Sequence, residues 1–159
     1  MQVHSDSKKQ SLFLTLLLPP VICGVMQSKD KTMNQIEYYE AKLKYETDSW
    51  DVFDGLKNGE EIIVVDARSN FAYETEHIPG AINFPHITMS ELTTAHLDKA
   101  KTYITYCDGI GCNGSTNGAL KLSKLGFNVK ELLGGIDWWK RDGYATDGNN
   151  SISGKRITD

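Results

Sequence analysis

Between residues 43 and 142, short apolar runs alternate with segments that carry helical signals. Ile62–Val65 is apolar throughout, which is typical of a strand covered on both faces. Tyr103–Tyr106, Asn128–Leu133 and Ala81–Phe84 are further strand candidates, and Leu43–Glu46 is a fifth at a sheet edge. Because strands that alternate with helices pair in parallel, we predict an α/β fold. Its central, mostly parallel sheet of about five strands should carry helices on both faces.

The helices are predicted from capping residues and apolar spacing. Asp48 can cap Ser49–Leu56, and Ser90 can cap Glu91–Leu97. Ser115 or Thr116 can cap a third helix that runs through Leu125, after which Gly126 fits a left-handed C-terminal cap. Gly135–Asp142 is predicted as a short last helix.

The 159 residues are enough for one domain with extensions at both ends. We predict an N-terminal extension or signal-like segment over residues 1–32, a folded domain over 33–144 and a flexible tail over 145–159. Lys8 and Lys9 precede an apolar run that ends at Met26. Residues 8–26 thus fit a cleaved signal or a membrane tether, while Met33 fits an alternative start. We expect a cytoplasmic protein, with export or tethering through residues 8–26 as the alternative.

Charge and cysteine content exclude several classes of protein. The net charge is −4 with 17 basic and 21 acidic residues, which argues against a nucleic-acid partner. The three cysteines, Cys23, Cys107 and Cys112, are too few for a disulfide scaffold.

Cys107 follows a predicted buried strand directly and precedes a glycine-rich loop and a helix start. Ligands of parallel sheets bind beyond the carboxyl ends of the strands. Gly109, Gly111 and Gly114 allow positive φ angles that turn successive N–H groups inward to hold an anion. Together with the helix N-terminus, such a loop should lower the pKa of the Cys107 thiol and favour the nucleophilic thiolate.

Four segments resemble the rhodanese family in their order along the chain. They are Val64–Arg68, an Asp-x-Arg strand end; Glu76–Asn83, in which Glu76 replaces the usual Gly of Gly-His-Ile-Pro-Gly-Ala; Tyr106-Cys107 with its loop; and Gly126–Val129 followed by Leu133–Ile136 and Trp139.

The resemblance implies a rhodanese-like fold and a sulfurtransferase. Cys107 would carry sulfane sulfur as a persulfide between a small sulfur donor or protein persulfide and an acceptor thiol or cyanide. It implies no cofactor and no metal. The predicted substrate and anion-binding loop comprises Asp108, Gly109, Ile110, Gly111, Cys112, Asn113 and Gly114. Asp66, Arg68 and His77 are supporting residues, of which Asp66 and Arg68 are expected to form an ion pair or cap and His77 to hydrogen-bond within its turn.

Departures from the family pattern leave alternatives open. The loop has no basic residue, so dianionic thiosulfate is a doubtful preferred donor. Asn113 stands where a Cys-x5-Arg phosphatase needs arginine. Cys112 is either a packing residue or a thiol that resolves a persulfide or sulfenate on Cys107. The alternative functions are therefore a non-catalytic binding or regulatory rhodanese module and a redox switch that uses Cys107 and Cys112. His77 and His86 do not have zinc-ligand spacing.

Overall fold

A computed structural model describes residues 33–155 of the chain. The signal-like segment 8–26 and Cys23 lie outside these residues. The strands are β1 (Glu46–Thr47), β2 (Ile62–Asp66), β3 (Ile82–Asn83), β4 (Thr102–Tyr106) and β5 (Asn128–Leu132). The helices are α1 (Gln35–Tyr45), α2 (Ser49–Lys57), α3 (Asn70–Thr75), α4 (Glu91–Thr94), α5 (Gly114–Lys124) and α6 (Gly135–Arg141), with a 3-10 turn at His86–Thr88.

The five strands form one parallel sheet in the order β1-β5-β4-β2-β3. β4 is central, and its last residue, Tyr106, lies opposite Asp66 of β2. Because all strands run the same way, the residues that follow β4 and β2 meet at one edge of the sheet. This edge carries Cys107 and Arg68.

Helices cover both faces of the sheet, which explains the uniformly apolar strands. Val64, Ile104 and Tyr106 face α2 and α6 and pack with Trp139, whereas Val65 and Tyr103 face the opposite layer. Leu122 of α5 and Phe127 complete that second layer. The predicted α/β fold with a parallel sheet of five strands is confirmed.

Local capping chemistry sets the ends of two helices as predicted. The Asp48 carboxylate accepts a hydrogen bond from the Asp51 N–H at the start of α2. After α5, Gly126 has φ +83° and the Phe127 N–H donates to the Leu122 carbonyl. Only glycine adopts that conformation without strain, and the turn places Phe127 in the core.

The largest differences from the sequence expectations are three element boundaries and one helix. The predicted edge strand Leu43–Glu46 is wrong for its first three residues, because α1 continues to Tyr45 and β1 begins at Glu46. The helix after Ser90 ends at Thr94. α5 begins at Gly114, so neither Ser115 nor Thr116 is its N-cap. α3 was not predicted, since its residues carry no buried apolar face.

The segment after Tyr144, predicted as a flexible tail, is hydrogen-bonded to the domain as far as residue 155. Asp147 exchanges backbone hydrogen bonds with His77, and Lys155 N–H donates to the Gly143 carbonyl. The Thr146 hydroxyl donates to Glu76 at 2.8 Å. Contacts distant in sequence therefore hold a segment that has no apolar periodicity of its own. Among the described residues, no helix is long and apolar enough to span a membrane.

Candidate active site

Cys107 lies at the carboxyl end of the central strand and is 3% exposed. Its carbonyl accepts a hydrogen bond from Ile136 N–H, and the Asp108 carbonyl accepts one from Asp137 N–H, each at 3.0 Å. Gly135 has φ +56°, and a Cβ there would lie 2.2 Å from the Cys107 carbonyl oxygen. Glycine at this position therefore allows the first turn of α6 to fix the backbone of the cysteine.

The sulfur of Cys107 is bonded to that of Cys112 in a disulfide whose Cα atoms are 6.2 Å apart. A turn in which the Cys112 N–H donates to the Gly109 carbonyl bends the loop back toward the strand end. A Cβ on Gly114 would lie 2.9 Å from the Cys107 sulfur and 3.4 Å from the Cys112 sulfur. Because Gly114 has no Cβ, the two sulfurs have room to bond next to this first residue of α5.

The loop glycines act differently from the sequence prediction. Gly109, Gly111 and Gly114 are not among the glycines with positive φ, so the positive φ angles predicted for them are wrong. Anion binding by the loop stays a prediction. Gly109 instead allows close packing, since its Cβ would lie 3.4 Å from Asp137 Cβ. Gly111 has open space around it.

Two cavities meet at the cysteine pair. A cavity of about 320 Å³ is lined by Cys107, Cys112, Arg68, His86 and Asp108, among others. A larger one of about 580 Å³ is lined by Cys112 and by Ile110, Asn113, Gly134 and Glu131, but not by Cys107. Cys112 therefore borders both cavities, whereas Cys107 borders only the smaller one. The predicted loop residues surround these two cavities.

Arg68 and Asp66 form the buried ion pair expected from the sequence. The guanidinium donates to both Asp66 carboxylate oxygens, with Nη2 to Oδ2 at 2.7 Å, and also to the Glu76 carbonyl at 2.6 Å. Its Nη1 donates to Asp108 at 2.9 Å. The Tyr106 hydroxyl donates to Asp66 at 2.7 Å. The network joins the ends of β2 and β4 to the first residue of the cysteine loop.

Burial and this network shift two pKa values. Burial by itself lowers the pKa of Arg68, but the hydrogen bonds and charge of Asp66 outweigh it and raise that pKa above its ordinary value. Burial raises the pKa of the Tyr106 hydroxyl, and the negative charge of Asp66 raises it further. The arginine is therefore a permanent cation, and the tyrosine is a neutral hydrogen-bond donor.

His77 lies outside both cavities and supports the fold. Its Nδ1 is 2.8 Å from the Tyr73 carbonyl, and its ring stacks on that of Tyr73 with centroids 3.8 Å apart. Glu76, which replaces the usual glycine of the motif, accepts hydrogen bonds from Lys140 and Thr146. The departure at this position thus anchors α6 and the C-terminal segment.

Two residues near the cysteines were not identified as site residues from the sequence. His86 lines the cavity that contains Cys107, and its buried Nδ1 has no hydrogen-bond partner among the described residues. Glu131 accepts hydrogen bonds from the hydroxyls of Ser115 and Thr116 at 2.7 and 2.8 Å and lines the larger cavity. Both come from other elements, so only the fold brings them here.

The potential metal ligands at the site are the two cysteines and Asp108. Their ligand atoms lie within 4.8 Å of one another. A cysteine binds zinc as its thiolate, and both sulfurs are bonded to each other here. The group in this state offers one carboxylate and no thiolate.

Comparison with known proteins identifies relatives of this arrangement. The sequence model of the rhodanese-like domain matches residues 49–142. The thiosulfate sulfurtransferase GlpE of Coxiella burnetii is 34% identical over 95 residues, which cover 57% of this chain and 83% of that protein. The tRNA sulfurtransferase of Thermoplasma acidophilum is 32% identical over 101 residues, covering 58% of this chain and 20% of that protein. A solved structure of a Bacillus halodurans protein is 43% identical with a TM-score of 0.70, covering 78% of this chain and 91% of that one.

Proposed function

Because the chain belongs to the rhodanese-like domain family, we propose that it is a sulfurtransferase that carries sulfane sulfur as a persulfide on Cys107. The observation that carries this proposal is the position of Cys107 at the end of the central strand, in a cavity of about 320 Å³. Relatives named as sulfurtransferases support the same class of reaction.

The reaction has two steps once the cysteine pair is reduced. The Cys107 thiolate attacks the outer sulfur of a donor, and the remainder of the donor leaves with the bonding electron pair. An acceptor thiol or cyanide then attacks the terminal sulfur and regenerates the thiolate. α5 begins directly behind Cys107, and its positive end favours both the thiolate and the persulfide anion.

The surrounding charges favour a donor with little negative charge. Arg68 is the one arginine or lysine of the described residues that lines the cavity with Cys107, and it is already bonded to Asp66 and Asp108. Asp108 also lines this cavity, and Glu131 lines the larger one. We therefore propose a singly charged donor or a protein persulfide, rather than dianionic thiosulfate, as the preferred substrate.

The test uses the full chain as the Cys112→Ser variant, in which Cys107 cannot be consumed by the disulfide. An aromatic thiosulfonate and thiosulfate serve as donors. We expect a mass increase of one sulfur (about 32 Da) at Cys107, thiocyanate release on addition of cyanide, and faster loading from the thiosulfonate. The Cys107→Ser/Cys112→Ser variant is the matched control. A Cys107 that iodoacetamide alkylates but that no donor loads would refute the proposal and favour a non-catalytic module.

The disulfide favours a redox switch as the second candidate function. In that case an oxidant converts the Cys107–Cys112 dithiol to the disulfide and blocks the nucleophile. Peroxide treatment of the reduced protein should then remove two hydrogens (about 2 Da) only when both cysteines are present. A sulfenate that persists on Cys107 beside an intact Cys112 would contradict this function.

A further inference from the structure

The positions of the two cysteines indicate how a persulfide on Cys107 is consumed. Cys112 is partly exposed and lines both cavities, whereas Cys107 is buried and lines only the smaller one. Resting on the proposed function of Cys107, we propose that Cys112 is a second catalytic cysteine that resolves the persulfide and releases hydrosulfide. The protein would then reduce sulfane sulfur to sulfide, with its own dithiol as the reductant.

The step balances without another reactant. The Cys112 thiolate attacks the inner sulfur of the Cys107 persulfide, the Sγ–Sγ bond forms, and the bond to the terminal sulfur breaks. The terminal sulfur leaves with the electron pair and takes up the proton that the Cys112 thiol gives up on ionisation, so that the product is hydrosulfide. The two cysteines are oxidised to the disulfide, and the sulfane sulfur is reduced by two electrons. A dithiol from outside the chain must reduce the disulfide before another cycle.

The loop geometry favours this attack over transfer to an external thiol. Arg68 holds Asp108 at one end of the loop, and the Gly109–Cys112 turn closes it. The space above Gly114 lets the attacking sulfur reach Cys107. A thiol tethered this closely has an effective concentration on the order of millimolar or more, which exceeds that of a protein acceptor at micromolar concentration.

The disulfide that results is accessible to a reductant from the side of Cys112. That residue also lines a shallow cavity of about 460 Å³ with Ile110 and Trp138, whose side chains are exposed. An incoming thiolate reaches Cys112 there without passing the buried Cys107. This attack forms a mixed disulfide between the reductant and Cys112. It breaks the bond to Cys107, whose sulfur is released as the free nucleophile.

The test compares full-length chains that all carry Cys23→Ser, so that no disulfide involves the third cysteine. The parent, Cys112→Ser and Cys107→Ser proteins are reduced, freed of reductant and mixed with an aromatic thiosulfonate, whose sulfinate leaving group releases no sulfide. We expect the parent to release about one hydrosulfide per chain and to lose two hydrogens. Cys112→Ser should retain one added sulfur and release none, and Cys107→Ser should do neither. A second equivalent should follow after re-reduction of the parent.

The outcomes separate this inference from the proposed function. If Cys112→Ser is not loaded with sulfur, the sulfurtransferase proposal fails. If Cys112→Ser is loaded and the parent also keeps its added sulfur without hydrosulfide, only the resolving role is refuted. Disulfide formation without hydrosulfide, or the added sulfur mapped to Cys112, also refutes it. Thermal unfolding of reduced Cys112→Ser at the parental temperature would verify that the variant is folded.

Discussion

Replacement of Arg68 by methionine should destabilise the domain more than any exposed charge change. Asp66 is fully buried, and Arg68 supplies its bidentate partner. Without the guanidinium, the partners left to the carboxylate among the described residues are the Tyr106 hydroxyl and the backbone N–H of residue 68. Breaking one side of a buried ion pair costs roughly 3–5 kcal/mol.

The assay is urea unfolding at pH 7 under reducing conditions, with thermal unfolding as a second measure. At about 4 °C per kcal/mol for a domain near 100 residues, the unfolding temperature of Arg68→Met should fall by roughly 12–20 °C. Arg141→Met is the matched control, because its pair with Asp137 is exposed on both sides. That control should change stability by less than about 1 kcal/mol.

A double-mutant cycle tests the origin of the loss. Asp66→Asn removes the charge that Arg68→Met leaves uncompensated, so the combined variant should be more stable than the sum of the two losses by at least about 1 kcal/mol. If Arg68→Met unfolds like Arg141→Met, or if the two losses simply add, the buried pair does not stabilise this edge of the sheet.

The remaining predictions concern Gly114 and Tyr106. Because a Cβ at Gly114 would lie 2.9 Å from the Cys107 sulfur, Gly114→Ala should disfavour the disulfide by roughly 1–3 kcal/mol. Titration against dithiothreitol should show this as a shift of at least about fivefold. Gly111→Ala, in open space, should leave the titration unchanged. The raised pKa of Tyr106 means that its stabilisation is complete below the ordinary tyrosine pKa of about 10 and is lost as pH rises further. Tyr106→Phe should therefore cost about 1–3 kcal/mol at pH 7 and reduce the decline in stability above pH 10, measured by urea unfolding; an unchanged decline would contradict this.

Local chemistry explains why most of the fold could be predicted. The apolar run Ile62–Val65 indicated a strand buried on both faces, and both helical layers cover it. Asp48 and Gly126 indicated helix ends through hydrogen bonds and φ angles that involve neighbouring residues alone. The predicted position of β1 was wrong because this strand has two residues and is defined by its pairing with β5.

Less of the site could be predicted from the sequence, because its contacts join segments that are distant along the chain. The position of Cys107 followed from the strand before it, but a spacing of five residues did not decide whether Cys112 packs or bonds. That outcome depends on Gly114 and on the start of α6. In the segment after Tyr144, the Thr146 hydroxyl likewise bonds to Glu76, whose side-chain partners, Lys140 and Thr146, are both distant in the sequence.

Charge around the cysteine pair connects donor choice with the fate of the persulfide. Among the described residues, Arg68 is the one arginine or lysine that lines the cavities around the pair, and it is bonded to the carboxylates of Asp66 and Asp108. Asp108 and Glu131 add negative charge. A donor with two negative charges that approaches Cys107 is therefore repelled about twice as strongly as a donor with one. Since the same carboxylates repel a bound hydrosulfide anion, they favour its departure once Cys112 has displaced it.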